Sequence, residues 1–429
     1  MAMSMVMAMA VNVTKKPDRR SGGNRPRSRR THREWLGRAG LAALVAMLGY
    51  GAVSFTLAEA LRNDAKLAYA LAPYDGRASA RLAGVSSAPG AVASDRRHDD
   101  NLARKALRQD PVNVPAAVVL GLNAQRRGDV VMARRAFAYA ERLSRRDLIT
   151  QLWGIEEAVA RNDVGNAVHH YDIAMRVKPE MREVLFPVLA AASTEGSVQT
   201  QLVRTLTFKP SWGEDFVNYI AAKGTNPQAT VVLFKCLDRA GVKTPDTAKA
   251  AILNALIAGG QLDRAWAYYA SIRTGVSRYR GRDPSFAKQP DVPTWFDWVA
   301  VGDGGIVSTI EKGSFSFSAP ASIGGPMLQQ VQLLPPGDYR FSGHSIDVDQ
   351  PDNALPYWML VCNGGNELGR VNVLRSSQSN GHYTGMFHVP HDCPSQTLTL
   401  VARPSDKIAG LSGSIDYVAL GPATLGDKK

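Results

Sequence analysis

The stretch VPAAVVLGLNAQRRGDVVMARRAFAYAERLSRRD (Val114–Asp147) and the one that follows it, LITQLWGIEEAVARNDVGNAVHHYDIAMRVKPEM (Leu148–Met181), carry small and aromatic residues at matching places. Ala133 matches Ala167, Phe137 matches Tyr171, and Ala140 matches Ala174, each pair 34 residues apart; Ala106 stands one further interval upstream of Ala140. Apolar residues at three- and four-residue spacing read as helices. Gly128 with Asp129, and Asn162 with Asp163, break each block into two such helices. Pro179, like Pro111 before it, stops the second helix, because proline cannot continue the hydrogen-bond ladder.

A 34-residue helical hairpin with this pattern resembles the tetratricopeptide family, in which such hairpins stack and each buries its apolar face only against its neighbours. The residues that carry the resemblance are Gly121 in the first helix, Gly128 at the turn, and the small–aromatic–small series Ala133, Phe137, Ala140, repeated as Ala167, Tyr171, Ala174 and closed by Pro179. Small residues let helices approach closely and the aromatic ring fills the space they leave. Core packing explains all of them. The resemblance further implies a groove for a protein partner, without assigning groove residues. Downstream the pattern weakens: the text from Trp212 to Ala240 reads as helices, and Ala265 and Tyr269 after Gly260 read as one more second helix. Upstream, a unit around Pro73–Gly84 fits only with an insertion near Val85–Ser94. The helical region is expected over 61–283.

Charge is unevenly placed. Of the net charge of +13, eight units come from the residues before Ala39, where ten Lys and Arg face Asp18 and Glu34 alone. A basic chain suggests nucleic acid as a partner, but the next segment offers a different explanation. From Ala39 to Ala58 no residue is charged, and twenty helical residues match a hydrocarbon layer of about 30 Å. The expectation is a basic, unfolded tail over 1–35 held in the cytoplasm by the positive-inside rule, and a transmembrane helix over 36–60. Everything later then lies across the bacterial inner membrane, in the periplasm. Nucleic acid is not expected as a partner. A rival remains open: Ala58, Glu59 and Ala60 form a signal-peptidase-like pattern, although the apolar stretch and the basic run are both long for a signal peptide.

Near Pro284–Pro293 the period changes from helical to alternating, so a linker is expected over 284–292 and a β-domain over 293–425. Eight strands are predicted, beginning near Gly313, Met327, Asp338, Pro356, Gly369, Tyr383, Gln396 and Ser414, which suits a sandwich or jelly roll. That architecture resembles carbohydrate-binding modules, which would give Trp295, Trp298 and Tyr357 a glycan-contact role; Trp358 shares the spacing of core positions. Cys362 and Cys393 either form a disulfide, which needs an oxidising compartment, or stay two buried thiols. Cys236 reads as a small core residue.

Other polar groups suggest little chemistry. His169 and His170, adjacent on a helix, point to different faces. Asp347, Asp349 and Asp352 have the close spacing of a calcium loop but lack its Gly and terminal Glu. His382, His388, His391 and Asp392 fit no zinc spacing. No nucleophile elbow, P-loop, zinc-protease helix or dinucleotide fingerprint occurs, and the GDGG at Gly302 precedes a strand. The sequence therefore predicts no catalytic residue, metal or cofactor. It points to a membrane-anchored scaffold for envelope proteins, working in assembly or export of cell-surface polysaccharide, with a glycan-binding module on a helical stalk as the alternative.

Overall fold

The computed structural model describes residues 32–86, 96–302, 304–405 and 408–423. Most of the expected basic tail, most of the expected Val85–Ser94 insertion and the residues after 423 lie outside the described residues. The chain divides into two compact units, the first ending at Asn123 and the second beginning at Ala124.

In the first unit α1 (His32–Ala60) is one uninterrupted helix, long and apolar enough to cross a membrane. Leu41, Leu44, Val45, Met47, Leu48 and Val53 are all exposed, with no core among the described residues to bury them. Its far end meets α2 (Ala65–Leu71) through Ala58, Ala68 and Ala72, three small side chains that allow close approach. Asp64 caps α2, its carboxylate accepting the Leu67 N–H at 3.0 Å. The next pair, α3 (Gly76–Ser86) and α4 (Arg96–Gln109), closes around Ala80, Ala83, Leu102, Ala103 and Ala106. Gly76 is required there, because a Cβ would stand 2.9 Å from the Ala106 carbonyl oxygen. Then comes α5 (Val114–Arg126), within which the division between units falls.

The second unit continues with α6 (Val130–Leu143), α7 (Leu148–Ala160), α8 (Val164–Val177), α9 (Arg182–Ala192), α10 (Gly196–Leu206), α11 (Gly213–Lys223), α12 (Pro227–Arg239), α13 (Asp246–Ala258) and α14 (Leu262–Ile272). The even-numbered α8, α10 and α12 meet in succession, as do the odd-numbered α9, α11 and α13, so the helices form two layers of a solenoid. Between the layers lies one core, with Phe186, Trp212 and Phe216 stacked edge to face near its middle. Pro179 opens a short 3-10 turn that leads from α8 into α9.

Two antiparallel sheets follow. The first orders β1 (Val299–Ala300), β4 (Gly325–Gln332), β9 (Gln396–Ala402), β6 (Tyr357–Cys362) and β7 (Glu367–Asn372) as β1-β4-β9-β6-β7. The second orders β2 (Val307–Glu311), β3 (Ser314–Ala319), β10 (Leu411–Pro422), β5 (Gly337–Ile346) and β8 (His382–Val389) as β2-β3-β10-β5-β8. Alternation sets which face is dry: Phe315, Phe317 and Ala319 of β3 and Trp358, Leu360 and Cys362 of β6 all enter one core. The fold class is thus the expected one, an α-solenoid followed by an all-β sandwich. The eight predicted strands are β3 to β10; β1 and β2, which the alternation does not predict, are short edge strands with little pattern to read. Cys362 and Cys393 are joined by a disulfide, their Cα atoms 5.6 Å apart, and it ties the end of β6 to the segment after β8.

Solenoid and sandwich share packing. Phe296 and Leu333 belong to the helical core, and Tyr269 of α14 donates to Asp297 at 2.8 Å. Phe286, inside the expected linker, is buried against Trp298.

Candidate functional site

The repeat period reappears in the capping groups. Asn113 accepts the Ala116 N–H at 3.1 Å and Asp147 accepts the Thr150 N–H at 2.8 Å, each before the first helix of a pair. Asp129 and Asp163 do the same for Met132 and Asn166 at 3.0 and 3.1 Å, each before the second helix. Both sets are 34 residues apart. Gly128 and Asn162, also 34 apart, hold φ of 75° and 56°, the left-handed conformation that ends the preceding helix. Ala133, Phe137 and Ala140, and likewise Ala167, Tyr171 and Ala174, are buried, as are Gly121 and Ala106.

Helices α6, α7 and α8 line a cleft of about 400 Å³. Phe137 and Trp153 stack in it, 4.4 Å between centroids and 16° apart. Gly154 makes room for the ring of His170, since a Cβ at 154 would lie 2.7 Å from it. That ring bonds to Gln151 Oε1 at 2.7 Å, and burial holds its pKa below the ordinary histidine value, so it is neutral at pH 7. Around the rim stand Arg134, Glu141, Glu157, Arg161, Asp163 and His169. Arg134 Nε donates to Glu157 Oε1 at 2.6 Å across α6 and α7. Hydrogen bonds from Asn166 hold the Asp163 carboxyl below its usual pKa. An aromatic floor with charges of both signs around it suits a polypeptide segment. Thr150, on the cleft wall, gives its hydroxyl to the capping carboxylate of Asp147 at 2.7 Å.

The aromatic residues expected to meet glycan are not brought together. Trp298 is buried among Phe286 and Trp358, with its indole N–H donating to the Asp283 carbonyl at 2.9 Å, so it is no exposed platform for a sugar ring. The Tyr357 ring carries the guanidinium groups of Arg370 and Arg403, 4.9 and 4.5 Å from its centroid. Trp295 is 41% exposed.

The close-spaced aspartates make loop contacts. Asp349 accepts from the Ser377 hydroxyl at 2.5 Å and Asp352 from Arg375 at 2.8 Å. His388 bonds to Asp338 at 2.7 Å, while His382 lies beside His344. Among the described residues no group of His, Cys, Asp and Glu is arranged to hold a metal ion.

No protein-family model matches the chain. No curated protein matches it either. Among solved structures it is similar to a glycosylation-associated protein complex from Streptococcus agalactiae, with 11% identity over 30% of this chain and 44% of that one and a TM-score of 0.22. It is similar also to the enzymatically active domain of tailspike protein 4 of bacteriophage CBA120, with 14% identity over 34% of this chain and 21% of that one, TM-score 0.23. A mutant of MamA aligns at 16% identity over 46% of this chain and 98% of that one, TM-score 0.24. The chain thus spans less than half of the first and about a fifth of the second. Overlap this slight assigns no shared overall fold.

Proposed function

We propose that this chain is a membrane-anchored scaffold whose tetratricopeptide-like repeats hold a segment of an envelope protein, α1 fixing it in the bacterial inner membrane with solenoid and sandwich in the periplasm. The observation that carries the reading is the cleft between α6, α7 and α8, with its stacked Phe137 and Trp153 and its mixed-charge rim. Such a floor buries an apolar side chain of a bound peptide while the rim pairs with its charges. The outward apolar residues of α1 and the Cys362–Cys393 disulfide support the anchor and the oxidising side. Assembly or export of cell-surface polysaccharide is the setting proposed for such a scaffold.

The test is a photo-crosslinking amino acid placed at His169 in the full-length chain in its native membrane. Capture of one or a few specific envelope proteins, lost when Trp153→Ala is added, is the expected result. Absence of any specific adduct from an abundant, folded chain would sink the reading. A reporter fused at the carboxyl terminus is expected to be active only in the periplasm.

The exposed indole of Trp295 is what favours the second reading, a glycan-binding module. Glycan-array binding abolished by Trp295→Ala, with melting unchanged, would establish it over the first.

A further inference from the structure

A second cavity, of about 500 Å³, lies where the chain passes from α14 into the sandwich, lined by residues between Tyr269 and Pro290 and by Asp297, Trp298 and Gln330. Its ionisable lining includes Arg273, Arg280, Arg282, Lys288, Asp283 and Asp297, four cations against two acids. The acids are already engaged. Asp297 accepts from the Tyr269 hydroxyl at 2.8 Å and from the Thr294 N–H and hydroxyl at 2.9 Å. Asp283 accepts from the Ala287 and Lys288 amides at 2.9 and 3.0 Å.

Two of the cations keep a buried donor to spare. Arg273 meets Asp297 only at 3.7 Å, and its Nε is buried with no hydrogen-bond partner among the described residues. Arg282, 5% exposed, also keeps one buried guanidinium nitrogen, Nη1, without such a partner. A buried, unsatisfied cationic donor is costly unless an anion answers it. The cavity wall is also conformationally demanding: Asp283 holds a φ of 48°, a region non-glycine residues adopt at a cost, and such positions concentrate at ligand sites. Ile272 and Val276 supply apolar lining for the body of a ligand. The volume falls in the range of small-molecule sites, roughly 300 to 1,000 Å³.

We propose that this junction cavity binds a small anionic ligand of sugar size, whose carboxylate or phosphate is held by Arg273 and Lys288 with Arg280 at the rim. The site is separate from the helical cleft and stands whether or not that cleft takes a protein.

The experiment is calorimetric titration of the full-length chain, in lipid nanodiscs, with glucuronate, glucose 1-phosphate and neutral glucose. One of the two anions is expected to bind and glucose not to; tighter glucuronate names the carboxylate, tighter glucose 1-phosphate the phosphate. Affinity should fall about tenfold or more in the Arg273→Gln, Lys288→Gln double variant and stay unchanged in Arg370→Gln, which removes a cation from β7, at the opposite edge of the sheet from β1. Should the double variant fail to fold, Arg280→Gln at the rim is read instead, with the same loss expected. Neither anion binding the native chain, glucose binding as well as the anions, or full affinity in the folded cavity variants would each overturn the proposal.

Discussion

Arg282 and Gln330 exchange two hydrogen bonds: the Arg282 backbone N–H donates to Gln330 Oε1 at 3.1 Å, and Gln330 Nε2 donates back to the Arg282 carbonyl at 3.2 Å. Arg282 Nε also reaches the Phe296 carbonyl at 2.7 Å, Nη2 bonds to the Val331 carbonyl, and the guanidinium lies over the rings of Trp266 and Phe296. One buried cation thereby joins the last helix, the crossing segment and β4. Burial pushes its pKa down to about 10, which leaves it charged at neutral pH.

Removing that side chain strands two carbonyls inside the junction. Arg282→Ala is expected to cost about 3 to 5 kcal/mol, in line with breaking a buried charged network. Chemical denaturation followed by tryptophan fluorescence checks it, and solenoid and sandwich should then unfold in separate transitions. A single transition with an unchanged midpoint would contradict the coupling.

The stacked pair in the helical cleft gives a second expectation. Phe137 is buried and stacks on Trp153, and Phe137→Ala leaves a void beside that ring. The expected loss is about 3 to 5 kcal/mol. Trp153→Ala, at a partly exposed ring, should cost clearly less while abolishing partner crosslinking, so comparing the two melts separates packing from binding.

Periodicity made the solenoid legible where side chains were small and the turn needed Gly128 or Asn162. The caps Asn113, Asp129, Asp147 and Asp163 repeat at the same interval and strengthen the pattern, since each sits just before an apolar run. From α9 onward the buried residues include Phe186, Trp212, Phe216 and Leu253, large side chains that keep the packing but change its spelling. The two cavities could not be read at all. Arg134 and Glu157 are 23 residues apart, and Arg282 meets Gln330 across 48; neither pairing leaves a trace in local spacing.

The disulfide closes a loop across a sequence separation of 31, and constraining such a loop in the unfolded chain is worth about 3 to 4 kcal/mol in the chain-entropy model. Cys362→Ser with Cys393→Ser should lower stability by that order, and reduction of the native chain should do the same. Thiol labelling after denaturation should mark Cys236 alone unless a reductant is added. Three labelled thiols without reductant would show that the bond does not form in the cell.

Acid should loosen the helical cleft through His170. Burial lowers its pKa in the folded state, opposed by Glu141 and Asp163 and reinforced by His169, so between that depressed value and the ordinary 6.5 the unfolded chain binds more protons than the folded one. Stability therefore rises with pH through this window and is lost as pH falls below about 6.5. His170→Gln, which can keep a hydrogen bond to Gln151, is expected to flatten the stability profile between about pH 5 and pH 7 while leaving the value at about pH 7.5 within about 1 kcal/mol of the native chain. Urea denaturation at a series of pH values checks this. A His170→Gln profile as steep as the native one would assign the acid sensitivity to other groups.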